Sequence, residues 1–541
     1  MALPPRAPVA GARVTEREEQ ASTEDAVSLR RVRPVRSILA VGVLLLGLMV
    51  ACTSQAPRVS NTGAKTVATI ALRGVGVGSL NPYAHTDGQI YPTWAHVMEP
   101  LVDWDWQQKT IVPILAESWS TPDPNTWIFK LKHGMQFHDG SEFTAADVVY
   151  SFRDRIQQDP ESRQRETIGH VDEIEALDPY TVRLHTKVPD ATLPFRLALR
   201  YITSKAVHDR LGKEEGDRLA IGTGPYKFKE WTPAERFVVE RNPNYRPGPH
   251  QPTVDEVVFR GIKEQEAAVS GLLNGEFDLI SGVMPESRER LTGNVHSETA
   301  RDTNVMFLGM NASVVPPFGN KLVRQAVNYA IDRQGIVDGI LKGSGYVLDA
   351  PIGPDQNGYP GALQPRYDYS PAKARELLRQ AGYADGFDVD LYTTSGQYSK
   401  DREISTAIVG MLGDVGIRAK LQTPEFPTMF TAIQEGKVGL YFIARGSVVD
   451  PSEYLHQFFQ TGLTKRVQYS NPAVDAALTA EQIAFDPAER AQRLKQAMEL
   501  LWEEAPIAWL FQYQTIYGVS NRFDYQPSPE GKMYAWDLRP R

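Results

Sequence analysis

Cys52 is the only cysteine in a chain of 541 residues. A lone thiol closes no intramolecular disulfide, and a structural zinc or iron–sulfur centre needs several soft ligands, so the usual structural uses of cysteine are closed. The fold has to rest on hydrophobic cores. Chains beyond roughly 250 to 300 residues usually divide into more than one core, and two large lobes are expected here. Hydrophobic residues at 42% and charged residues at 23% are the proportions of an ordinary soluble globular protein, neither disordered nor a membrane bundle. A net charge of −8 with a pI near 5.8 argues against a nucleic-acid partner, which demands a basic face. Nine Trp, 22 Tyr and 20 Phe supply core, and could also supply a pocket that grips organic ligands by stacking and burial.

The surroundings of Cys52 give it a use. "RRVRPVR" at 30 to 36 is basic and "ILAVGVLLLGLMV" at 38 to 50 is an apolar run too short to span a bilayer comfortably. The order basic, apolar, small, cysteine resembles the bacterial lipoprotein signal, with Met49 where that pattern prefers leucine. The resemblance implies cleavage before Cys52, lipid on its sulfur and amino group, and tethering to a membrane surface. The alternative is a buried thiol in an N-terminal membrane helix. The first 29 residues, with "EREEQ", do not look like a signal: they are a cytoplasmic prefix or lie upstream of the true start, for which Val32 and Val35 are candidates. The region 1–51 is thus expected to be a lipoprotein-type leader and 52–65, small and polar, a tether.

Beyond the tether, strands and helices alternate. "TVATIALRG" reads as a strand, followed by the glycine-rich "GVGVGSLNPY", which lacks both the spacing and the lysine of a phosphate-binding loop. "TWIFKLK", "TVRLHTK", "RFVVERN", "DEVVFRGI", "DVDLYTT" and "VGLYFIA" read as further strands. Helices announce themselves by their caps: Thr144 with Asp147 and a Phe143–Val148 staple; Ser370 with Pro371, stopping at Gly382; Asp486 with Pro487 and Glu489, burying Leu494, Ala497, Met498 and Leu501. A helix from Lys321 is expected to bury Leu322, Ala326, Val327 and Ala330 and to run to Gly343. The fold class is α/β, with no solenoid repeat.

Several long blocks then carry a family resemblance. "LAESWSTPDPNTWIFKLKHGMQFHDGSEFTAADVVYSF" at 115 to 152, "GTGPYKFKEWTPAERFVVERNPNYRPG" at 222 to 248, "LLNGEFDLISG" at 272 to 282, "LVRQAVNYAIDRQGIVDGILKGSG" at 322 to 345, "ARELLRQAGY" at 374 to 383 and "EEAPIAWL" at 503 to 510 stand in family order. Together they resemble the bacterial extracellular solute-binding proteins of family 5, the dipeptide, oligopeptide and nickel-type receptors of ABC importers. The resemblance implies a two-lobed periplasmic-binding-protein fold of type II, a Venus flytrap with an extra domain inserted in the N-terminal lobe. Residues 66–99, 222–308 and 512–541 would form lobe I, 100–221 the inserted subdomain and 309–511 lobe II. It also implies a small-molecule ligand, permease subunits as partners, a monomer, no cofactor, and a place in the cell envelope, periplasmic or on the outer face of the cytoplasmic membrane.

The signature residues themselves read as fold-makers. His138 and Asp139 of "HDG" are turn chemistry with no visible nucleophile, and "RNPNY" at 241 to 245 is likewise a turn. Specificity is expected elsewhere. Peptide-binding relatives usually carry an aspartate in the second lobe, shortly before an Asp-Pro step, to pair with the ligand's ammonium; here that position is Ser447, with Arg445 two residues earlier. A guanidinium holds a carboxylate or phosphate, which tilts the reading toward an anionic, sugar-acid, opine-like or oligosaccharide ligand beside the peptide one. Arg445 paired with a protein carboxylate is the alternative. Asp450 is a ligand candidate and also a helix cap before Pro451. The family layout adds Gln89 and Tyr91, Asn304 and Met306, Tyr398, and the aromatics Phe426 and Phe430 as walls. A secreted hydrolase of peptides or glycans is the competing class; H-E-x-x-H, G-x-S-x-G and a catalytic thiol are all missing, while 66 acids leave carboxylate pairs open. No catalytic residue is assigned, and the scattered histidines His85, His96, His133, His138 and His456 supply no clustered metal motif.

Overall fold

The computed structural model describes residues 65–73, 80–84, 91–446 and 448–541, without the side chains of Arg73 and Tyr91. The leader, the tether with Cys52, the glycine-rich loop at 74–79, Gln89 and Ser447 lie outside the described residues. Among the described residues no helix is long and apolar enough to cross a membrane.

One twelve-stranded sheet runs through both lobes. In lobe I the strands Val67–Arg73 and Glu256–Ile262 pair in parallel, and the antiparallel strands Arg236–Arg241 and Tyr226–Thr232 extend the edge. In lobe II Phe387–Tyr392 pairs in parallel with Ile417–Gln422 and with Leu440–Arg445. The two halves meet on a single strand, Ile507–Ser520. Its first residues pair with Val305–Met310 in lobe II, and its last pair with Leu279–Ser281 and Val295–Arg301 in lobe I. The chain therefore crosses between lobes twice in adjacent tracks, at 301–305 and at 511–516. Opposite Met306 and Phe307 the strand Ile507–Ser520 carries one extra residue, Leu510, a bulge that bends the second track beside the first.

The inserted subdomain carries a separate four-stranded antiparallel sheet, ordered Ala116–Asp123, Thr126–Leu131, Thr181–Thr186, Val171–Asp178, and a hairpin of Val102–Asp105 with Thr110–Pro113. Its core includes Trp127, Phe129, Phe143, Val148, Phe152 and Leu184. Lobe II has the largest core, from Val305 to Phe511, while the lobe I sheet is covered on one side by Trp94, Phe237, Phe259 and Tyr517, and on the other by Val269, Leu272 and Ile280.

Local chemistry accounts for the element ends. Asp147 accepts from the backbone N–H of Thr144 at 2.8 Å, and Phe143 and Val148 are both fully buried, so cap and staple form as expected. The helix they start is short: Ala145–Val149 widens into a π-helix over Tyr150–Gln158. Ser370 and Asp486 cap their helices, and Gly382 takes a φ of +85°. The helix from Lys321 departs from the sequence reading. It ends at Ala330, Asp332 caps a new turn at Arg333–Gly335, and a π-helix follows over Ile336–Ile340. Val323 is fully buried and Leu322 only partly, because Val323, Ala326, Val327 and Ala330 share one face at i, i+3, i+4 and i+7 and Leu322 falls at its edge. The break lets Arg333 donate to the carbonyls of Trp509 and Asn328 at 2.7 Å each, which ties this segment to the long shared strand.

Candidate ligand-binding cleft

Between the lobes lies a cavity of about 420 Å³. Its floor is the pair of crossing tracks, Asp302 to Met306 and Tyr513 to Ile516. Lobe I contributes Ser281 to Val283 and the loop Glu530 to Lys532, the subdomain contributes Leu199 and Arg200, and lobe II contributes Tyr398, Arg445, Gly446 and Glu453. A space of this size suits a small organic ligand and is enclosed by elements that move with different lobes.

Lobe II holds its side of the cavity rigidly. The carboxylate of Asp401 accepts from the Thr394 hydroxyl at 2.7 Å and from the backbone N–H groups of Gly396, Gln397 and Tyr398 at 2.9 to 3.2 Å. That grip fixes the loop presenting Tyr398, while the Tyr513 hydroxyl donates to the Ser399 carbonyl at 2.7 Å. Burial pushes the Tyr398 phenol up to about 12, so it is a neutral wall of the cavity.

Charge inside the cavity is of both signs. Arg445 ends its strand and donates from Nη2 to Glu453 Oε1 at 3.2 Å. Among the described residues its buried Nε–H has no acceptor. Arg200 donates to the Leu199 carbonyl at 3.1 Å and the Thr167 hydroxyl at 3.2 Å, and its Nε–H is likewise buried without an acceptor. Burial works to raise Glu453, but the guanidinium groups of Arg445, Arg196 and Arg200 outweigh it and hold the carboxyl below its ordinary range. Opposite in sign stands Asp302. It accepts from the backbone N–H and side-chain amide of Asn304 at 2.9 and 2.6 Å, and burial raises it to about 6. Lys532 forms an ion pair with Glu530 at the same wall.

The residues singled out from sequence fall into three groups. Asn304, Met306, Tyr398 and Arg445 all line the cavity. Asn304 orients Asp302, and an added Cβ on Gly446 would stand 2.6 Å from Asn304 Oδ1, so a larger residue after the strand Leu440–Arg445 would push Asn304 from this position. Phe426 and Phe430 do not line it; they stack on each other at 5.5 Å, with Phe426 edge-on behind Tyr398. Asp450 is turned into the protein. Both its oxygens take the Arg490 guanidinium at 2.7 and 2.8 Å, Asn357 donates to it at 2.6 Å and the Ser452 N–H at 3.0 Å, so its capacity is spent on the fold and on the start of the helix Ser452–Phe459. Tyr91 opens the helix Tyr91–Val97. His138 is structural, with Nε2 3.0 Å from the Gly224 carbonyl and its charged form suppressed by burial to about 4. Asp302, Arg200, Glu453, Glu530 and Lys532 were not singled out. Asp302 and Glu453 each stand beside a residue that was, but Arg200 and the 530–532 loop reach the cavity only through tertiary folding.

The two-lobed frame with its cavity on the crossing strands is matched by known proteins. Residues 110–465 match the Bacterial extracellular solute-binding proteins, family 5 Middle. The chain belongs to this family. Glutathione-binding protein GsiB from Pectobacterium atrosepticum is 28% identical over 451 residues, 80% of this chain and 86% of that protein. The periplasmic binding protein DppA from Helicobacter pylori, solved with the peptide STSA, superposes with a TM-score of 0.75 at 26% identity, covering 88% of this chain and 98% of its own. AgaA from A. tumefaciens R10, solved with agropinic acid, shares the fold at a TM-score of 0.73 and 24% identity, over 88% of this chain and 99% of its own. As a family 5 protein the chain is a solute-binding component of an ABC importer, which captures its solute and passes it to a permease; it is a transport protein and not an enzyme. Proteins of this family are exported to the periplasm.

Proposed function

We propose that this family 5 receptor binds a short peptide or peptide-like zwitterion, its carboxylate on Arg445 and Arg200 and its ammonium toward Asp302. The observation that carries this reading is the pair of buried guanidinium Nε–H groups without acceptors in the same cavity as a buried aspartate that faces no cation at contact distance. An arginine donor of this kind is made for a carboxylate, and an unneutralised carboxylate favours an ammonium. The names of the relatives, glutathione-binding and peptide-complexed, agree with that chemistry. Native mass spectrometry of the gently purified protein, followed by calorimetry with glutathione and with dipeptides, tests it. A released mass fitting a short peptide, with stoichiometric binding and no product, supports the proposal. A sugar acid, opine or glycan would overturn the ammonium half and leave the two arginines as the readers of an anion.

The remaining parts of the reading are lobes bounded at about 99, 221, 308 and 511, a monomer, and lipid on Cys52 that keeps the receptor on a membrane surface. Metabolic labelling with a fatty acid, lost in Cys52→Ala, tests the anchor, and light scattering tests the monomer.

A further inference from the structure

A second chamber, of about 410 Å³, shares Leu199 and Glu530 with the ligand cavity and lies between the subdomain hairpin and the C-terminal tail. Its walls are aromatic. On the hairpin Trp104 and Trp106 meet edge to face at 6.1 Å, and on the tail side Trp536 stacks on Tyr534 at 4.5 Å and on His250 at 4.5 Å. Five carboxylates line this aromatic space: Glu99, Asp103, Asp105, Glu530 and Asp537.

Glu530 is fully engaged, accepting from Trp106 Nε1 at 2.7 Å and the Tyr534 hydroxyl at 3.3 Å while paired with Lys532. Glu99 is held by the Arg246 guanidinium at 2.8 and 2.9 Å, and Asp105 accepts from the backbone N–H groups of Gln107 and Gln108 at 2.8 Å, whereas Asp103 and Asp537 are less well met. Asp103 accepts from the Trp104 backbone N–H at 2.8 Å, and His250 Nε2 stands 3.8 Å away on a ring whose charged form burial disfavours. Asp537 makes no salt bridge among the described residues, and Arg539 is the cation that acts on it against burial and Glu530. Burial, with the charge of Glu530, raises Asp103 to about 8 and Asp537 to about 7, the behaviour of carboxyls short of a counter-cation. A third group is also unsatisfied: the indole N–H of Trp104, a residue only 4% exposed that lines the chamber, has no acceptor.

We propose that this chamber binds a primary ammonium or guanidinium group on a ligand that also carries a carbonyl oxygen, the cation meeting Asp103 and the indole faces and the oxygen taking the Trp104 N–H. Aromatic faces beside a carboxylate form the kind of box that attracts organic cations. Because the chambers share a wall, the cation can arrive as a basic side chain of a peptide held in the main cavity, a route that rests on the function proposed above. It can equally arrive on a separate small molecule.

The test uses the full chain and two isosteric probes, Nα-acetyl-lysine amide and Nα-acetyl-norleucine amide, followed by tryptophan fluorescence and calorimetry. The lysine probe is expected to bind at least tenfold more tightly, to lose that advantage in Asp103→Asn and in Trp106→Leu, and to keep it in His138→Ala, whose ring is spent on the Gly224 carbonyl. Melting curves establish that both chamber variants are folded, and Trp106, partly exposed, is the safer of the two. If only tripeptides discriminate, Ala-Ala-Lys over Ala-Ala-norleucine, with the preference abolished by Asp103→Asn, the cation comes as a side chain of the main ligand. Equal affinity for lysine and norleucine in both formats, or a preference untouched by both chamber variants, overturns the proposal. Loss of binding in Arg445→Ala alone would instead place the probe in the main cavity and overturn it too.

Discussion

The Nε–H of Arg445 is buried with no acceptor, while Nη2 of the same side chain is 3.2 Å from Glu453. One face of the guanidinium is thus positioned by the protein and the other is free for an anion. Arg445→Ala or Arg200→Ala is expected to weaken the natural ligand at least tenfold, about 1.4 kcal/mol, in a calorimetric titration. His138→Ala should leave the affinity unchanged, since its ring is spent on the Gly224 carbonyl. Asp302 supplies a pH signature. It is surrounded by Asn304, Thr515 and Tyr517, with the Glu530–Lys532 pair, Arg200, Arg445 and Glu453 as the other charged groups lining the cavity. Because burial raises it to about 6, it is ionised above that pH and neutral below. Affinity for an ammonium-bearing peptide should therefore fall as the pH drops through about 6, and Asp302→Asn should bind more weakly with no such step. A wild-type affinity flat from pH 5 to 8 would remove Asp302 from ligand recognition. Arg445 was legible in the sequence because it departs from a family pattern. Asp302 was not, since a carboxylate two residues before a candidate asparagine looks like ordinary strand-end polarity until the fold buries it.

At the scale of elements, caps and strands were the legible part. All seven strand runs quoted from the sequence form strands, and Thr144, Ser370 and Asp486 start helices, because period-2 alternation and cap chemistry act over a few residues. The broken helix at Ile331 was not legible: its apolar spacing continues, and what ends it is Arg333 reaching the carbonyls of Asn328 and Trp509. The helix Ser452–Phe459 shows the same limit, since Asp450 does serve its start but is also consumed by Arg490, which lies 40 residues further along. Removing one partner of a buried ion pair costs roughly 3 to 5 kcal/mol. Asp450→Ala is accordingly expected to lower the urea unfolding free energy by about that amount, while the folded fraction keeps a ligand affinity within a few-fold of wild type. A large affinity loss with unchanged stability would return Asp450 to the ligand.

Taken whole, the molecule has its lobes in contact. The Ala191 N–H donates across to the Gln482 carbonyl at 2.7 Å, Lys109 reaches the Pro354 carbonyl at 3.0 Å, Arg490 lies 5.1 Å from the Phe195 ring, and Lys400 pairs with Glu286 at 2.5 Å. These contacts are few and mostly polar, so ligand that touches both lobes tips the balance between open and closed forms by its differential affinity. Small-angle scattering should show a smaller radius of gyration with ligand than without, and Phe195→Ala should enlarge the ligand-free radius alone. Identical radii in all three samples would refute a ligand-coupled closure.

The strand Ile507–Ser520 has a consequence for the folding of the protein. Both lobes pair with it, and its partners lie about 200 to 240 positions earlier in the chain, at Val305–Met310 and Leu279–Ser281. Neither half of the sheet is complete until those distant pairings form, so each lobe waits on a strand made long after its own first residues. The joining strand is thus expected to be a late element in folding, and both lobes to become native together rather than one after the other.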